Sequence, residues 1–294
     1  MKSRALPGII LLLLLLTACG AGGEASSSSP TASIENKGSD TIVNLALAWA
    51  EAYQGMHADV RISVTGGGSG TGLAALINGT VDIANASRRI KEEELEEARK
   101  NGIEPVEFII ARDAIAVVLH PDNPVIRLTL QQLSDIYSGK ITNWSAVGGK
   151  DRPIVCLSRE TNSGTHVYFL ETVLRLGDKE NTTLFAMETL LLPSSEGIIS
   201  EVRQNENAIG YDGLGYVPDD LKIVAVARTE TEPYVLPMVS TVNDKSYPVA
   251  RDLYMYTSGE PSGAIKDYID WILTSEAQDI VIELGFVPVL LFLP

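Results

Sequence analysis

The stretch VRISVTGGGSGTGLAALI, residues 60–77, decides the fold class because one residue pattern changes into another within it. Val60, Ile62 and Val64 alternate with polar residues, which is the period of a half-buried strand. After the run GGGSGTG, apolar side chains recur at the three- and four-residue spacing of an amphipathic helix. The stretch therefore predicts a strand that turns into a helix across a glycine-rich loop.

Two other runs of small polar residues also come directly before a helical pattern. They are GSDT at residues 38–41 and RETNSGT at residues 159–165. Strands that alternate with helices indicate an α/β protein with largely parallel sheets, in which ligands bind at the carboxyl ends of the strands. We therefore expect the three loops to converge if two α/β lobes face each other across a cleft.

The remaining patterns predict further elements and leave about 260 residues for folding, which is enough for two domains. Trp144 and Tyr211 either line the cleft or pack in the core or hinge, which is the commoner role of such residues. Further strands are predicted at residues 106–110, 114–119, 153–158, 223–227 and 253–256, and further helices at residues 92–100, 129–137 and 265–273.

The three loops combine the features of an oxyanion site. The first turn of a helix has unpaired N–H groups and a partial positive charge, so that an anion is stabilised there. Serine and threonine hydroxyls add donors, and the guanidinium of Arg159 offers a planar fork that matches two oxygens. One such loop alone is more often an ordinary helix cap. Three of them together with an arginine favour an anion-binding site.

The N-terminal residues predict a secreted and lipid-anchored protein. A short apolar run at residues 9–16 follows a basic start and ends at small residues and Cys19, which resembles the lipidation site of bacterial lipoproteins. Residues 1–18 are predicted to be a signal peptide, and residues 19–33 a flexible tether to the cell membrane. The alternative is a plain signal peptide with a chance cysteine.

The charge of the chain excludes several classes of partner. Its formal net charge is −15, so its surface repels nucleic acid and anionic lipid. A site for an anion must therefore act through local donors at short range. Cys156 is the only cysteine besides Cys19, which excludes a disulfide framework, and it is interpreted as an inert core thiol within an apolar strand.

No motif of an enzyme is present in the sequence. Ser163 lies near His166, but no nucleophile elbow surrounds it, and the remaining histidines, His57 and His120, are scattered. A phosphate-binding loop of the nucleotide hydrolases and a metal-ligand spacing are also missing. We predict a binding protein without a catalytic residue, a metal ion or a cofactor.

Several short motifs, taken in their order along the chain, resemble one family. They are GSDT at 38–41, GSGTG at 68–72, DIANASR at 82–88, LSDIYSGKITNW at 133–144, SR at 158–159 with SGT at 163–165, and AIGY at 208–211. Over residues 34–288 the chain resembles the phosphate-binding lipoproteins that supply phosphate ABC importers, a branch of the type II periplasmic binding proteins. The order of the motifs, and not any single one, carries the resemblance.

The resemblance implies two α/β domains, each with a central, mostly parallel sheet flanked by helices, and a ligand cleft between them. Domain I would comprise residues 34–113 and 246–294, and domain II residues 114–245. The apolar residues 289–294 extend past the usual end of the family and are predicted to pack as a last strand.

The resemblance also implies a function. The protein would capture inorganic phosphate by hinged closure and deliver it to the membrane permease subunits of an ABC importer. It would act as a monomer that its lipid anchors to the cell membrane, on the periplasmic side or the outer surface. The alternatives that keep this fold are a binder of sulfate or molybdate and a phosphate-sensing surface lipoprotein.

The family's ligand contacts transfer to matching positions of this chain. The phosphate ligands implied in this way are Ser39, Asp40, Thr41, Ser69, Ser87, Arg88, Arg159, Ser163, Gly164 and Thr165.

One of these positions departs from the family pattern. Arg88 stands where known members have an aspartate that accepts the proton of hydrogen phosphate. Arg88 would either point at the anion or pair with Asp82 or Glu160. We hypothesise that Asp40 takes over as the proton acceptor, the alternative being that it is a plain helix N-cap.

Overall fold

The computed structural model describes residues 32–289. The predicted signal peptide, the predicted lipidation site Cys19 and residues 290–294 of the predicted last strand lie outside the described residues. In the described part, no helix is both long enough and apolar enough to cross a membrane.

The first strand begins inside the segment predicted to be a tether. Ala32 and Ser33 pair with Val60 and Arg61 of the neighbouring parallel strand. The prediction of a tether that reaches residue 33 is therefore wrong at this end. These two small residues follow a serine run and show no strand pattern, but the edge of a parallel partner supplies the hydrogen bonds that order them.

The described residues form eleven strands, nine α-helices and three short 3₁₀ or π segments, and they confirm the α/β class. The strands are β1 (Ala32–Gly38), β2 (Val60–Thr65), β3 (Ile83–Ala86), β4 (Val106–Leu119), β5 (Arg127–Thr129), β6 (Val155–Arg159), β7 (Leu190–Leu192), β8 (Ala208–Gly213), β9 (Lys222–Ile223), β10 (Ala225–Ala227) and β11 (Ala250–Thr257). The helices are α1 (Asp40–Met56), α2 (Ser69–Ile77), α3 (Glu92–Lys100), α4 (Leu130–Tyr137), α5 (Gly164–Phe169), α6 (Ser195–Gln204), α7 (Val239–Asn243), α8 (Gly263–Ile272) and α9 (Ser275–Glu283).

Most strands belong to one long sheet of order β2-β1-β3-β11-β4-β8-β6-β7, and β9 pairs with the end of β4. The outer strands pair in parallel, β1 with β2 and β3 at one end and β6 with β7 and β8 at the other. The central strands β4 and β11 run antiparallel to their neighbours. Both ends of the sheet thus have the predicted parallel character.

Strand β4 is a single strand of 14 residues, where the sequence pattern predicts two. Up to Ala114 it pairs with β11, and from Ile115 it pairs with β8. The sequence pattern predicts two strands because the polar pair Arg112 and Asp113 interrupts the apolar residues. Asp113 is nevertheless buried within the strand, where it binds an arginine of β11.

The buried hydrophobic residues form two main cores. One core joins β1, β2 and β3 with α1, α8 and α9, and we call these elements, together with α2 and α3, lobe I. The other joins β5, β8 and β10 with α4, α5 and α7, and we call these elements, together with β6, β7 and α6, lobe II. Strands β4 and β11 connect the lobes. The predicted domain boundaries at residues 113/114 and 245/246 stay a prediction.

Other predictions of elements need smaller corrections. The strand predicted at residues 223–227 is divided between β9 and β10, which belong to different sheets. Helix α9 was not predicted, although Thr274 caps it by accepting a hydrogen bond from the N–H of Ala277. Trp144 and Tyr211 both lie in the core of lobe II, so neither lines a cleft.

Candidate anion-binding site

The three small-residue loops connect strands to helices, as predicted, and they meet at the carboxyl ends of their strands. The first joins β1 to α1, the second β2 to α2, and the third β6 to α5. The N–H of Gly68 donates to the carbonyl of Gly38 at 2.9 Å, and the N–H of Gly70 donates to the carbonyl of Asn162 at 3.0 Å. Two loops of lobe I therefore contact each other, and one of them contacts the loop of lobe II.

Arg159, the last residue of β6, is buried at the centre of this meeting point and is 1% exposed. Its Nη2 donates to the carboxylate of Asp40 at 2.7 Å and to the carbonyl of Pro193 at 2.9 Å. Its Nη1 donates to the hydroxyl of Ser195 at 2.9 Å. Since both ends of the guanidinium are held, the direction of its fork is set before any ligand arrives.

Asp212 supports Arg159 from within lobe II. One oxygen of its carboxyl accepts from the hydroxyl of Ser195 at 2.9 Å and from the N–H of Gly213 at 2.7 Å. The other oxygen lies 4.0 Å from Nη1 of Arg159. Complete burial raises the pKa of Asp212 to about 6, although the charge of Arg159 opposes this shift.

Asp40 links three of these elements. It is the first residue of α1, and the N-cap residue is Ser39, so the alternative that Asp40 is a plain N-cap is wrong. Its Oδ1 accepts from the N–H of Gly67 at 2.9 Å, and its Oδ2 accepts from Arg159. A carboxylate at this position is also stabilised by the helix N-terminus.

Four hydroxyl groups predicted as ligands lie close together in pairs. The hydroxyl of Thr41 is 2.9 Å from that of Thr165, and the hydroxyl of Ser69 is 3.2 Å from that of Ser87. A Cβ atom at Gly164 would lie 2.4 Å from the Ser69 oxygen and 2.5 Å from the Ser87 oxygen. Only glycine therefore lets α5 of lobe II approach these serines.

Ser39 and Ser163 are the N-cap residues of α1 and α5, and both are buried. The hydroxyl of Ser163 accepts from the N–H of Thr165 at 3.2 Å, whereas the hydroxyl of Ser39 makes no capping bond. The structure thus brings together nine of the ten predicted ligands around the ends of α1, α2 and α5.

Arg251 is a second buried arginine at the site, and sequence reasoning missed it. Its Nη2 donates to the hydroxyls of Thr41 and Thr165 at 3.3 and 2.9 Å and to the carboxylate of Asp113 at 2.9 Å. Its Nη1 donates to the carbonyl of Ser87 at 2.9 Å. Arg251 therefore joins groups of both lobes. The available signal was an arginine within a strand of otherwise buried residues.

Arg88, the tenth predicted ligand, is held by lobe I. Its two Nη atoms donate to the carboxylate of Glu94 at 2.8 and 2.7 Å, and Nη1 also donates to the carbonyl of Arg89. The predicted pairing with Asp82 or Glu160 is therefore wrong. The signal for Glu94 was weak, because it lies in a run of acidic residues that resembles a solvated helix face. The role of Arg88 as an anion ligand stays a prediction.

Burial shifts the pKa of two other titratable groups that the sequence analysis considered, Cys156 and His166. Burial raises the pKa of the Cys156 thiol to about 12, so that it stays protonated. His166 is buried, which lowers its pKa, and its Nδ1 lies 3.0 Å from the hydroxyl of Ser158. Among residues 32–289, no group of His, Cys, Asp and Glu side chains could hold a metal ion.

Comparison with known proteins places this geometry in a family. Residues 24–276 match the PBP superfamily domain. The phosphate-binding protein PstS of Pseudomonas aeruginosa is 31% identical over 278 residues, which cover 89% of this chain and 84% of that protein. PstS of Bacillus subtilis is 30% identical over 260 residues, which cover 88% of this chain and 81% of that protein.

A solved structure gives the same result. The crystal structure of a phosphate ABC transporter substrate-binding protein of Clostridium perfringens, with phosphate bound, is 37% identical to this chain. It superposes with a TM-score of 0.77 and covers 88% of this chain and 100% of its own. All three relatives are named as binding proteins, which supports the prediction that the chain is not an enzyme. The chain therefore belongs to the PBP superfamily and, within it, to the family of the phosphate-binding protein PstS.

Proposed function

We propose that this protein binds inorganic phosphate outside the cytoplasm and delivers it to the permease subunits of an ABC importer. The observation that carries the proposal is the buried guanidinium of Arg159, which lies where loops of both lobes converge. The names of the relatives support the choice of phosphate among the oxyanions.

The proposed contacts account for the cost of removing an oxyanion from water. A buried dianion loses several kcal/mol of hydration, so the site must surround it with donors. Arg159 supplies charge, and the ends of α1, α2 and α5 supply N–H groups and positive dipoles. The proposed ligands are Ser39, Asp40, Thr41, Ser69, Ser87, Arg159, Ser163, Gly164 and Thr165. We place Arg88 outside this set, because its ion pair with Glu94 lies within lobe I, whereas Arg159 bonds across the two lobes.

Asp40 is the proposed determinant of selectivity. Its carboxylate accepts from Nη2 of Arg159 at 2.7 Å, so it would lie beside an oxyanion bound by the same guanidinium. A carboxylate can accept the proton of hydrogen phosphate, whereas sulfate has no proton to donate at neutral pH. The unfavourable approach of a second, unprotonated anion to Asp40 would therefore exclude sulfate.

Capture is proposed to involve hinged closure of lobe I on lobe II. The contacts that join the lobes in this structure include Asp40 with Arg159, Thr41 with Thr165, and the amide of Asn162 with the carbonyl of Gly67 at 3.0 Å. These contacts would break when the cleft opens. An anion that bridges the same groups binds the closed arrangement better and so shifts the population towards it.

The proposal also includes a lipid anchor at Cys19 and a monomeric state. Lipidation of Cys19 would hold the protein on the membrane that contains the importer, with the tether leading to β1. The two lobes of one chain supply all the proposed ligands, so the protein would act as a monomer. The same site would serve a phosphate sensor, which differs in its partner and not in its ligand.

Calorimetric titration of the purified full chain with phosphate and with sulfate tests the proposal. We expect phosphate to bind and sulfate to give no heat. Arg159→Ala should weaken phosphate binding by about a hundredfold, since two charge-assisted hydrogen bonds are lost. Arg203→Ala, which removes an exposed arginine paired with Asp220, is the matched control and should bind like the wild type.

Two results would contradict parts of the proposal. Tighter binding of sulfate or molybdate than of phosphate would assign the site to another oxyanion. Asp40→Asn should lower phosphate affinity by about tenfold while sulfate affinity stays equal or rises, because an amide donates as well as accepts. Unchanged selectivity in this variant would show that Asp40 is not the proton acceptor.

A further inference from the structure

A cavity of about 540 Å³ lies beside β4 and β11, the strands that connect the two lobes. Its charged lining residues are Arg112 of β4, Arg251 and Asp252 of β11, and Arg228 and Lys245 of lobe II. We call it the hinge cavity. None of the nine proposed phosphate ligands lines it, but Arg251, which bonds to Thr41 and Thr165, does.

The hinge cavity carries positive charge that the protein does not neutralise. Asp252 pairs with Arg112 at 3.3 Å. Arg228 and Lys245 form no ion pair with any described carboxylate, and the guanidinium of Arg228 meets only the main-chain carbonyls of Lys245 and Ser246, at 3.4 Å. The positive charge of the hinge cavity is opposite in sign to the formal net charge of the chain, which is −15.

The loop that carries Lys245 is held in a fixed shape. Lys245 has a φ of 62°, a left-handed conformation that is uncommon for a residue with a side chain. The N–H of Ser246 donates to the carboxylate of Asp244 at 2.9 Å, and the hydroxyl of Tyr247 donates to the carbonyl of Ile115 at 2.7 Å. The backbone position of Lys245 is therefore fixed, and its side chain is exposed.

The size and charge of the cavity indicate its ligand. Its volume is within the range of sites for small molecules and exceeds what a single phosphate group fills. Arg228 and Lys245, the two lining cations without an ion pair among the described residues, come from separate segments and match the two linked oxyanion groups of a diphosphate. We propose that the hinge cavity is a second anion site, which binds a compact diphosphate, either free or as the terminal group of a nucleotide.

The test must separate this cavity from the cleft. The full chain is titrated with pyrophosphate and with ADP, first as the Arg159→Ala variant and then as the wild type saturated with phosphate. The second arm keeps the test valid if Arg159→Ala fails to fold or if the cleft itself accepts diphosphate. We expect one molecule to bind in both arms, and the tighter of the two probes identifies the source of the diphosphate.

The responsible cations are tested by paired variants. Arg228→Gln combined with Lys245→Gln should weaken diphosphate binding by about tenfold or more, while phosphate binding to the cleft is retained. Arg61→Gln combined with Lys100→Gln removes the same two residue types from exposed positions of lobe I and should change diphosphate affinity less than about twofold. Absence of binding in both arms, or equal losses in the two double variants, would overturn the proposal.

Discussion

Among the single residues, Asp212 has a protonation state that depends on whether the chain is folded. It is completely buried, and its burial raises the pKa to about 6 from an ordinary value of 3.8. Between these two values the folded chain holds the proton of Asp212, whereas the unfolded chain has released it. The protonated carboxyl therefore contributes stability below about pH 4, and this contribution is lost as the pH rises through 6.

Replacing Asp212 should remove this pH dependence. A pKa difference of two units corresponds to about 3 kcal/mol, so the wild type should lose about that much stability relative to Asp212→Asn between pH 4 and 7. Denaturant unfolding of both proteins at several pH values, in buffer without phosphate, measures this difference.

The control for this prediction is a surface aspartate with a shift of opposite sign. Arg203 lowers the pKa of the exposed Asp220, so its ion pair stabilises the fold at neutral pH and weakens as the pH falls. Asp220→Asn should not gain stability relative to the wild type as the pH rises. Parallel pH profiles for Asp212→Asn and the wild type would show that Asp212 titrates normally.

Arg159 could be predicted from the sequence, whereas Arg251 and Asp212 could not. Arg159 was predictable, since it precedes a serine- and glycine-rich loop before a helix, and both features are local. Arg251 and Asp212 lie within strands, and their side-chain partners are more than 15 residues away along the chain. Only the packing of the two lobes brings those partners together, so no local sequence pattern predicts the roles of Arg251 and Asp212.

At the scale of elements, the turns from strand to helix position the site, and Gly164 sets how closely two of them approach. A Cβ atom there would clash with the hydroxyl oxygens of Ser69 and Ser87. Gly164→Ala should therefore move α5 away from lobe I and lower phosphate affinity by about tenfold or more, because the site loses its geometry. Calorimetric titration of the folded variant measures the effect.

Gly55 offers a control within a helix. It lies near the end of α1, and a Cβ atom there would meet no other atom within 4 Å. Gly55→Ala should leave phosphate affinity unchanged and raise stability by about 0.5–1 kcal/mol, as expected for alanine in a helix. Wild-type affinity in Gly164→Ala would mean that α5 does not need its close approach to the serines.

Elements were predicted well where one pattern was continuous. The bounds of α3 coincide with the prediction, and β2 ends one residue beyond the predicted alternation, whereas α2 begins at Ser69, inside the run predicted to be the glycine-rich loop. Predictions failed where tertiary pairing decided the outcome. The burial of Asp113 extends β4 across a polar pair, and β9 and β10 separate because each finds a partner in a different sheet.

At the scale of the whole molecule, the lobes are joined by β4 and β11, and Arg251 connects this junction to the site. It bonds to Thr41 and Ser87 of lobe I and to Thr165 of lobe II, and Asp113 neutralises it. If hinged closure occurs, these bonds should hold the closed form together. Removal of Arg251 should then both open the cleft and weaken capture.

The variant for this prediction must not leave a buried carboxylate without a partner. Loss of one member of a buried ion pair costs about 3–5 kcal/mol, so Arg251→Met is combined with Asp113→Asn. We expect the double variant to bind phosphate at least about tenfold more weakly, because the hydrogen bonds that link β11 to lobe I and to lobe II through Arg251 are lost. Arg112→Met, at a half-exposed arginine of the same strand pair, should bind almost normally.

Small-angle X-ray scattering distinguishes closure from simple loss of a contact. The wild type and Arg112→Met should each have a smaller radius of gyration with phosphate than without it, because the anion favours the closed arrangement. The double variant should have the larger radius in both conditions at phosphate concentrations that saturate the wild type. If phosphate saturates the double variant and its radius still exceeds that of the liganded wild type, Arg251 holds the lobes together independently of the anion. If its radius equals that of the wild type in both conditions, Arg251 does not control closure, and the hinge must depend on the strands alone.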